Sequence, residues 1–328
     1  MAKEFYSNYA ICDKSHKVEI IVDKDTFKYN LRDIDTYSIL SPIWFDECKS
    51  LLLSNDTFYA QVRIYDKGYN FINDKGEIMS PYWSLYPLYF NDNIARIEIN
   101  GKGFNYINTQ GELLSPNMWF DDAYELECQK IARVFINNKG WNYINYKGEI
   151  LFPNTWFDFA EIGLPHEDII AIRKNNKMNY INTKGEILFP NTWYDHCSSF
   201  SNGLAIVYNN NQGFNFINTQ GEIMSPIWFD IIEDFSDNIA PIYIRNKGCN
   251  FVNTQGEIMS PTWFDYCSHF YNGYARVMID NKSNYINAKG QILFPDHWFD
   301  GAKDITEKGI CDVYEQNKGW YTLPIQQS

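Results

Sequence analysis

Carboxylates, thiols and imidazoles are the groups in this 328-residue chain that could do chemistry, and their spacing restricts what that chemistry is. An Asp follows Trp-Phe or Trp-Tyr at Asp46, Asp121, Asp158, Asp195, Asp230, Asp265 and Asp300. A Glu follows a turn-type Gly at Glu77, Glu112, Glu149, Glu186, Glu222 and Glu257. An acidic ladder could bind cations. Carried singly, however, such a carboxylate ordinarily accepts backbone N–H bonds beside a turn, which is the reading adopted for both series.

The seven Cys residues include no C-x-x-C, so the spacing offers no zinc site. Cys48, Cys197 and Cys267 each stand four places after a Trp, where other segments have Ala123, Ala160, Ile232 or Ala302. That place asks for a small apolar side chain, and all seven thiols are expected free and mostly buried. An odd count and an expected reducing compartment argue against disulfides. His16, His166, His196, His269 and His297 share no register, so no metal site or Ser-His-Asp arrangement composes itself by spacing. Neither a Walker-type nor a G-x-G-x-x-G phosphate loop occurs. The expectation is a protein without metal or cofactor and without catalysis.

The elements that carry these groups recur. Trp44, Trp83, Trp119, Trp156, Trp193, Trp228, Trp263 and Trp298 are 35–39 residues apart, a period typical of solenoids, propellers and arrays. Ala60, Ala95, Ala132, Ala171, Ala205, Ala240 and Ala275 keep step, with Cys311 in the same place of the last unit. Each unit reads P-x-x-W-F-D, a connection often ending F-x-N-G, then x-A-R-V, then N-K-G-x-N-Y-I-N, then x-x-G-E-I-L. The Trp, held in a constant frame, reads as core. The segments around Ala and N-Y-I-N are short and rich in aromatic and β-branched residues, as antiparallel hairpin strands are. The N-T-K-G and N-T-Q-G links suit a bulged hairpin turn with Gly at positive φ. With E-I-L this makes a three-strand meander, and a fourth strand could run from W-F-D toward F-x-N-G.

Residues 138–153, NKGWNYINYKGEILFP, together with the N-F-I-N and S-P-x-W-F-D wording elsewhere, resemble the bacterial and phage WG-containing (KWG) repeat family. The resemblance runs from about Lys28 to Leu323 and implies a β-repeat array without catalytic residues. The chain departs from the family's wording in one place. Asn stands for the Gly of the W-G pair, and Phe, Tyr, Cys or Met usually stands for its Trp.

The expected fold is all-β, one repeat-array domain over 1–328, with a partial repeat at 1–40, seven repeats at 41–294 and a partial repeat at 295–328. The N-terminal KVEIIVD, FKYNLRD and YSIL match the second, third and fourth strands of a unit, and the C-terminal WFDGAKD, GICDVYE and KGWYTL match the first three. Such ends suit a β-propeller-like ring of about eight blades, with an open β-solenoid as the alternative.

Asp and Glu outnumber Lys and Arg by 41 to 28, a net charge of −13 that repels nucleic acid and anionic lipid. No run approaches a membrane span and no signal-type segment opens the chain, so a soluble cytoplasmic protein is expected. The Ala-to-Trp distance is 22–24 residues throughout, whereas Trp-to-Ala varies from 12 to 16. Length variation confined to one connection marks a loop face of the kind repeat proteins bind with. The connection at 161–168, with Leu164, Pro165, His166, Glu167 and Asp168, and the one containing Asn55 and Asp56 are the expected contacts for a protein or peptide. A carbohydrate or cell-surface module is the alternative function, and an enzyme with a central cleft the third.

Overall fold

The computed structural model describes residues 5–13, 17–52, 58–126, 131–161, 168–306 and 310–324. They form eight three-stranded antiparallel sheets and one two-stranded sheet, numbered here in chain order, and no helix. The chain packs as two compact units: Met1–Asp168 with Ile172–Lys174 and Asn182–Glu186, and Ile169–Ala171 with Asn175–Ile181 and Ile187–Ser328. The first holds sheets one to four and the second sheets six to nine.

Sheet six shows how a unit is made. A two-residue strand, His196–Cys197, pairs with Leu204–Asn209, which pairs with Gly213–Asn218. Ala205 and Val207 point into the core while Ile206 and Tyr208 stay half-buried, the two-residue alternation of a sheet with one covered face. Every Ala of this register is at most 3% exposed, and Cys311 is fully buried in the same place. The place is small because the strand is crowded. The E-I-L segment adds only a bridge, such as Ile217↔Ile223. In this unit the chain then meets Ser225-Pro226, and Pro has no N–H with which to extend a ladder.

The N-terminal segment is more than the expected partial repeat. Phe5–Asp13 pairs with Val18–Asp23, which pairs with Tyr29–Asp33, so the hairpin of KVEIIVD and FKYNLRD has a first strand of its own. No P-x-x-W-F-D frame marks it. At the other end Gly301–Ala302, Ile310–Glu315 and Gly319–Pro324 form sheet nine in the expected order.

Two devices recur where repeats stack. The turn Gly can lie against the preceding backbone: at Gly111 a Cβ would stand 1.7 Å from the Met79 carbonyl oxygen, and at Gly256 1.8 Å from that of Met224. Both residues also have positive φ, at 83° and 85°, so only Gly meets both demands. The second device is an edge-to-face aromatic pair between the residue after the N-Y-I-N Asn and the aromatic seven places after the following Trp. It recurs as Phe71–Phe90, Tyr180–Phe200, Phe216–Phe235 and Phe251–Phe270, with ring centroids 4.7–5.0 Å apart.

The Asn that opens each N-Y-I-N segment is a structural bolt. Asn30, Asn70, Asn105, Asn142, Asn179, Asn215, Asn250 and Asn284 are all fully buried. In Asn215 the amide nitrogen donates to the carbonyls of Ser225 and Ile227, each at 3.0 Å, and Oδ1 accepts the Phe216 N–H at 2.8 Å. One side chain thereby holds the S-P-x-W loop on the third strand with its hydrogen-bonding capacity used.

Two expectations need correction. The Trp residues are not core: all eight are half-buried, and it is the following residue, Phe45, Phe120, Phe157, Tyr194, Phe229, Phe264 or Phe299, that is at most 3% exposed. Nor are all thiols free. Cys48 and Cys311 are free and buried and Cys197 is buried, but Cys249 and Cys267 form a disulfide with Cα atoms 6.0 Å apart. Cys249 stands where other repeats have a ring, as with Trp141 and Phe214, so register comparison of Cys267 alone could not reveal its neighbour. Cys12 and Cys128 have no described side chain.

Candidate interaction face

The acidic series do what turn carboxylates do. Oδ2 of Asp46, Asp121, Asp195, Asp230, Asp265 and Asp300 accepts a backbone N–H from the hairpin turn between the unit's last two strands, as in Asn210 N–H to Asp195 at 2.9 Å. The Asn210 N–H, together with Lys177 at 2.6 Å, holds the Asp195 carboxyl below its ordinary range. Each Glu after the turn Gly accepts a hydrogen bond from the side-chain amide four places earlier, as in Asn218–Glu222 at 2.7 Å. Neither series is gathered into a cation site, and no cluster of three or more metal-type side chains occurs among the described residues.

What the sheets do position is the Trp-to-Ala connection. In the units of sheets six and eight, both of the twelve-residue form, it runs from the short first strand through a buried aromatic, Phe200 or Phe270, to a tight turn. In the repeat of sheet six Phe200 is buried, Ser201 bridges Leu204, and Asn202 and Gly203 take positive φ of 51° and 79°. Between consecutive repeats this leaves clefts. One, of about 570 Å³, lies between sheets six and seven and is lined by Leu204, Ile206, Phe235, Asp234 and Asp237 among others. Another, of about 620 Å³, is lined from sheets seven to nine by Glu233, Tyr266, His269, Tyr271, Arg276 and Asp304.

The second cleft is fenced by paired polar side chains. His269 Nε2 lies 2.9 Å from Glu233, and Arg276 Nε lies 3.1 Å from Asp304, with the guanidinium 5.0 Å from the centre of the Tyr266 ring. The Arg of x-A-R-V thus reaches across to the next repeat. Arg96 does the same, 3.0 Å from Glu125 and donating to the Ala123 carbonyl at 2.6 Å, and Arg133 donates to the Ala160 carbonyl at 2.6 Å between the rings of Tyr124 and Trp141. Sequence reasoning passed over this position as part of a strand. Its signal was the variation at the place after Ala, Gln61, Arg96, Arg133, Ile172, Ile206, Pro241, Arg276 and Asp312, beside an otherwise constant frame.

Of the expected contacts, Asp168 is exposed just before the strand Ile169–Lys174. Leu164, Pro165, His166, Glu167, Asn55 and Asp56 lie outside the described residues. The half-buried Trp residues have a feature of their own. Lys67, Lys102, Lys139 and Lys247, each beside a hairpin-turn Gly, lie 5.4–5.7 Å from the ring centres of Trp83, Trp119, Trp156 and Trp263.

Among solved structures the chain is similar to the computationally designed Ika8 protein, at 12% identity over 94% of this chain and 93% of that one, with a TM-score of 0.25. It is also similar to BamB from Moraxella catarrhalis, at 11% identity over 84% and 95% with a TM-score of 0.26, and to Kluyveromyces lactis Hsv2, at 9% over 70% and 93% with a TM-score of 0.30. No curated protein sequence matches the chain. The sequence pattern of the WG-containing repeat matches at residues 180–212, 216–247 and 251–282, three tandem copies spanning the third strand of sheet five to the start of the third strand of sheet eight. These segments, built on the sheet, turn and stacking contacts that recur along the described chain, are WG-containing repeats.

Proposed function

We propose that this protein is a non-catalytic interaction scaffold whose Trp-to-Ala connections present a binding face to a protein or peptide. The observation that carries the reading is the pair of inter-repeat clefts. Both are bounded by residues from the connections of neighbouring repeats, and apolar side chains line them together with charged or hydroxyl groups. Such a mix of apolar area with a few placed polar groups is what binding clefts provide. The rigid part of each unit, its second and third strands, stays constant, while the residues that reach into the clefts change from repeat to repeat. The same scaffold can therefore offer different side chains at successive stations.

A second reading has an observation of its own. The half-buried Trp residues, four of them with a Lys near the ring, are aromatic surface repeated once per unit, which is what stacking on sugars requires. Peptide and glycan arrays probed with the full chain separate the two. Peptide binders that are lost when Ser201→Trp fills the cleft between sheets six and seven, or when His269→Trp fills the other, support the scaffold. Glycan binders lost in Trp83→Ala and Trp119→Ala, with no peptide binders, replace it with the carbohydrate reading.

A further inference from the structure

We propose that the cleft between sheets six and seven receives a guanidinium group, the side chain of an arginine in an extended partner peptide. The proposal rests on the scaffold reading and names the chemistry of its partner. The repeat supplies its own comparison. Among the described residues, the sixth place after Trp carries an acid three times, as Glu125, Asp234 and Asp304. Glu125 and Asp304 each hold a guanidinium sent from the place after Ala in the preceding repeat, Arg96 at 3.0 Å and Arg276 at 3.1 Å. At the corresponding place before Asp234 the chain has Ile206. Asp234 is exposed, and among the described residues its carboxylate has neither ion pair nor hydrogen bond. The register that elsewhere holds an internal arginine here holds an acid facing an open cleft.

The rest of the cleft suits the same group. No Lys or Arg lines it, and Asp237 adds a second carboxylate, one oxygen of which accepts the Gly273 N–H at 3.0 Å. Leu204, Ile206 and Phe235 offer apolar area for the methylene stem of an entering side chain. Arginine is favoured over lysine because both occupied registers use a guanidinium, whose planar donors suit a carboxylate and can lie against a ring. The net charge of −13 draws a cationic segment toward the surface.

The test is a titration of the ¹⁵N-labelled full chain with acetyl-Gly-Arg-Gly-amide, followed by amide chemical shifts, beside the peptide carrying uncharged citrulline in place of arginine. The expected result is shifts concentrated at 198–206 and 232–238, with binding at least tenfold weaker for the citrulline peptide and for Asp234→Asn. Ile206→Arg, which supplies the guanidinium from within, should abolish the shifts while the thermal midpoint stays at or above that of the parent chain. Shifts centred elsewhere, equal binding of citrulline, or an unaffected Asp234→Asn overturn the proposal. If the peptide arrays still yield binders in that case, only the arginine assignment falls. Arrays without any peptide binder overturn the scaffold reading itself.

Discussion

Replacing Asn215 with Ala should cost the protein about 3 kcal/mol, far more than removing an asparagine three residues away. Asn215 is fully buried, and its side chain satisfies four backbone groups: the carbonyls of Ser225 and Ile227 at 3.0 Å, the Phe216 N–H at 2.8 Å and the Ser225 N–H at 3.3 Å. Alanine leaves these without that partner in a cavity walled by Phe216 and Ser225, both at most 1% exposed. A buried polar group left unmade costs about 1–3 kcal/mol, and water entering the vacated space recovers part of the total. Asn218 also accepts two backbone N–H bonds, from Gln220 and Glu222 at 3.0 Å, but at an exposed turn where water replaces the side chain, so Asn218→Ala should cost under about 1 kcal/mol. Urea unfolding followed by Trp fluorescence reads both. With slopes of about 1–3 kcal/mol/M, the Asn215 variant should lose roughly 1 M or more of midpoint. Acrylamide should quench it more below the transition, because the Trp228 loop has lost its bolt. Equal small shifts for the two variants would refute the idea that this asparagine holds the repeat together.

Ala205→Leu and Ala240→Leu should each destabilise by about 1–3 kcal/mol in thermal or urea melts, because both positions are at most 2% exposed in crowded strands. Phe264→Ala should cost about 3–5 kcal/mol and Trp263→Ala clearly less, reversing the order that residue size alone suggests, since Phe264 is 1% exposed and Trp263 is half-buried. A non-reducing digest should return the peptides of Cys249 and Cys267 linked. Burial pushes the Cys48 thiol up to about 12, so at pH 8 only about one molecule in ten thousand carries the thiolate there and alkylation should await unfolding. The Tyr65 N–H lowers the Asp46 carboxyl and the Asn210 N–H that of Asp195, each below its ordinary 3.8. Folded values below unfolded ones mean that this stabilisation is present above about pH 4 and is lost as pH falls through the folded values, a dependence that Asp195→Asn should weaken in acid titrations.

The period, the all-β class, the strand around each Ala and the turn at each G-E were legible in the sequence because they follow from local chemistry. β-branched and aromatic runs favour strands, Gly is needed where φ is positive, and a residue type that returns once per unit returns to the same environment. The sequence also identified the W-F-D Asp as a turn acceptor, because its partner lies within the same unit. Tertiary structure decided what depends on a neighbour. Whether Trp263 or Phe264 is core turns on which ring faces the next repeat, and two adjacent aromatics in one motif carry no sign of direction. The buried Asn reads in sequence as a polar interruption of a strand, since its partners are carbonyls ten to thirteen residues on. Cys249 meets Cys267, and Arg276 meets Asp304, only because stacking one repeat on the next brings together places 18 and 28 residues apart. The cleft at Asp234 had the same origin: an Ile in a strand of hydrophobic residues attracts no notice until the stacking shows which carboxylate shares its cleft.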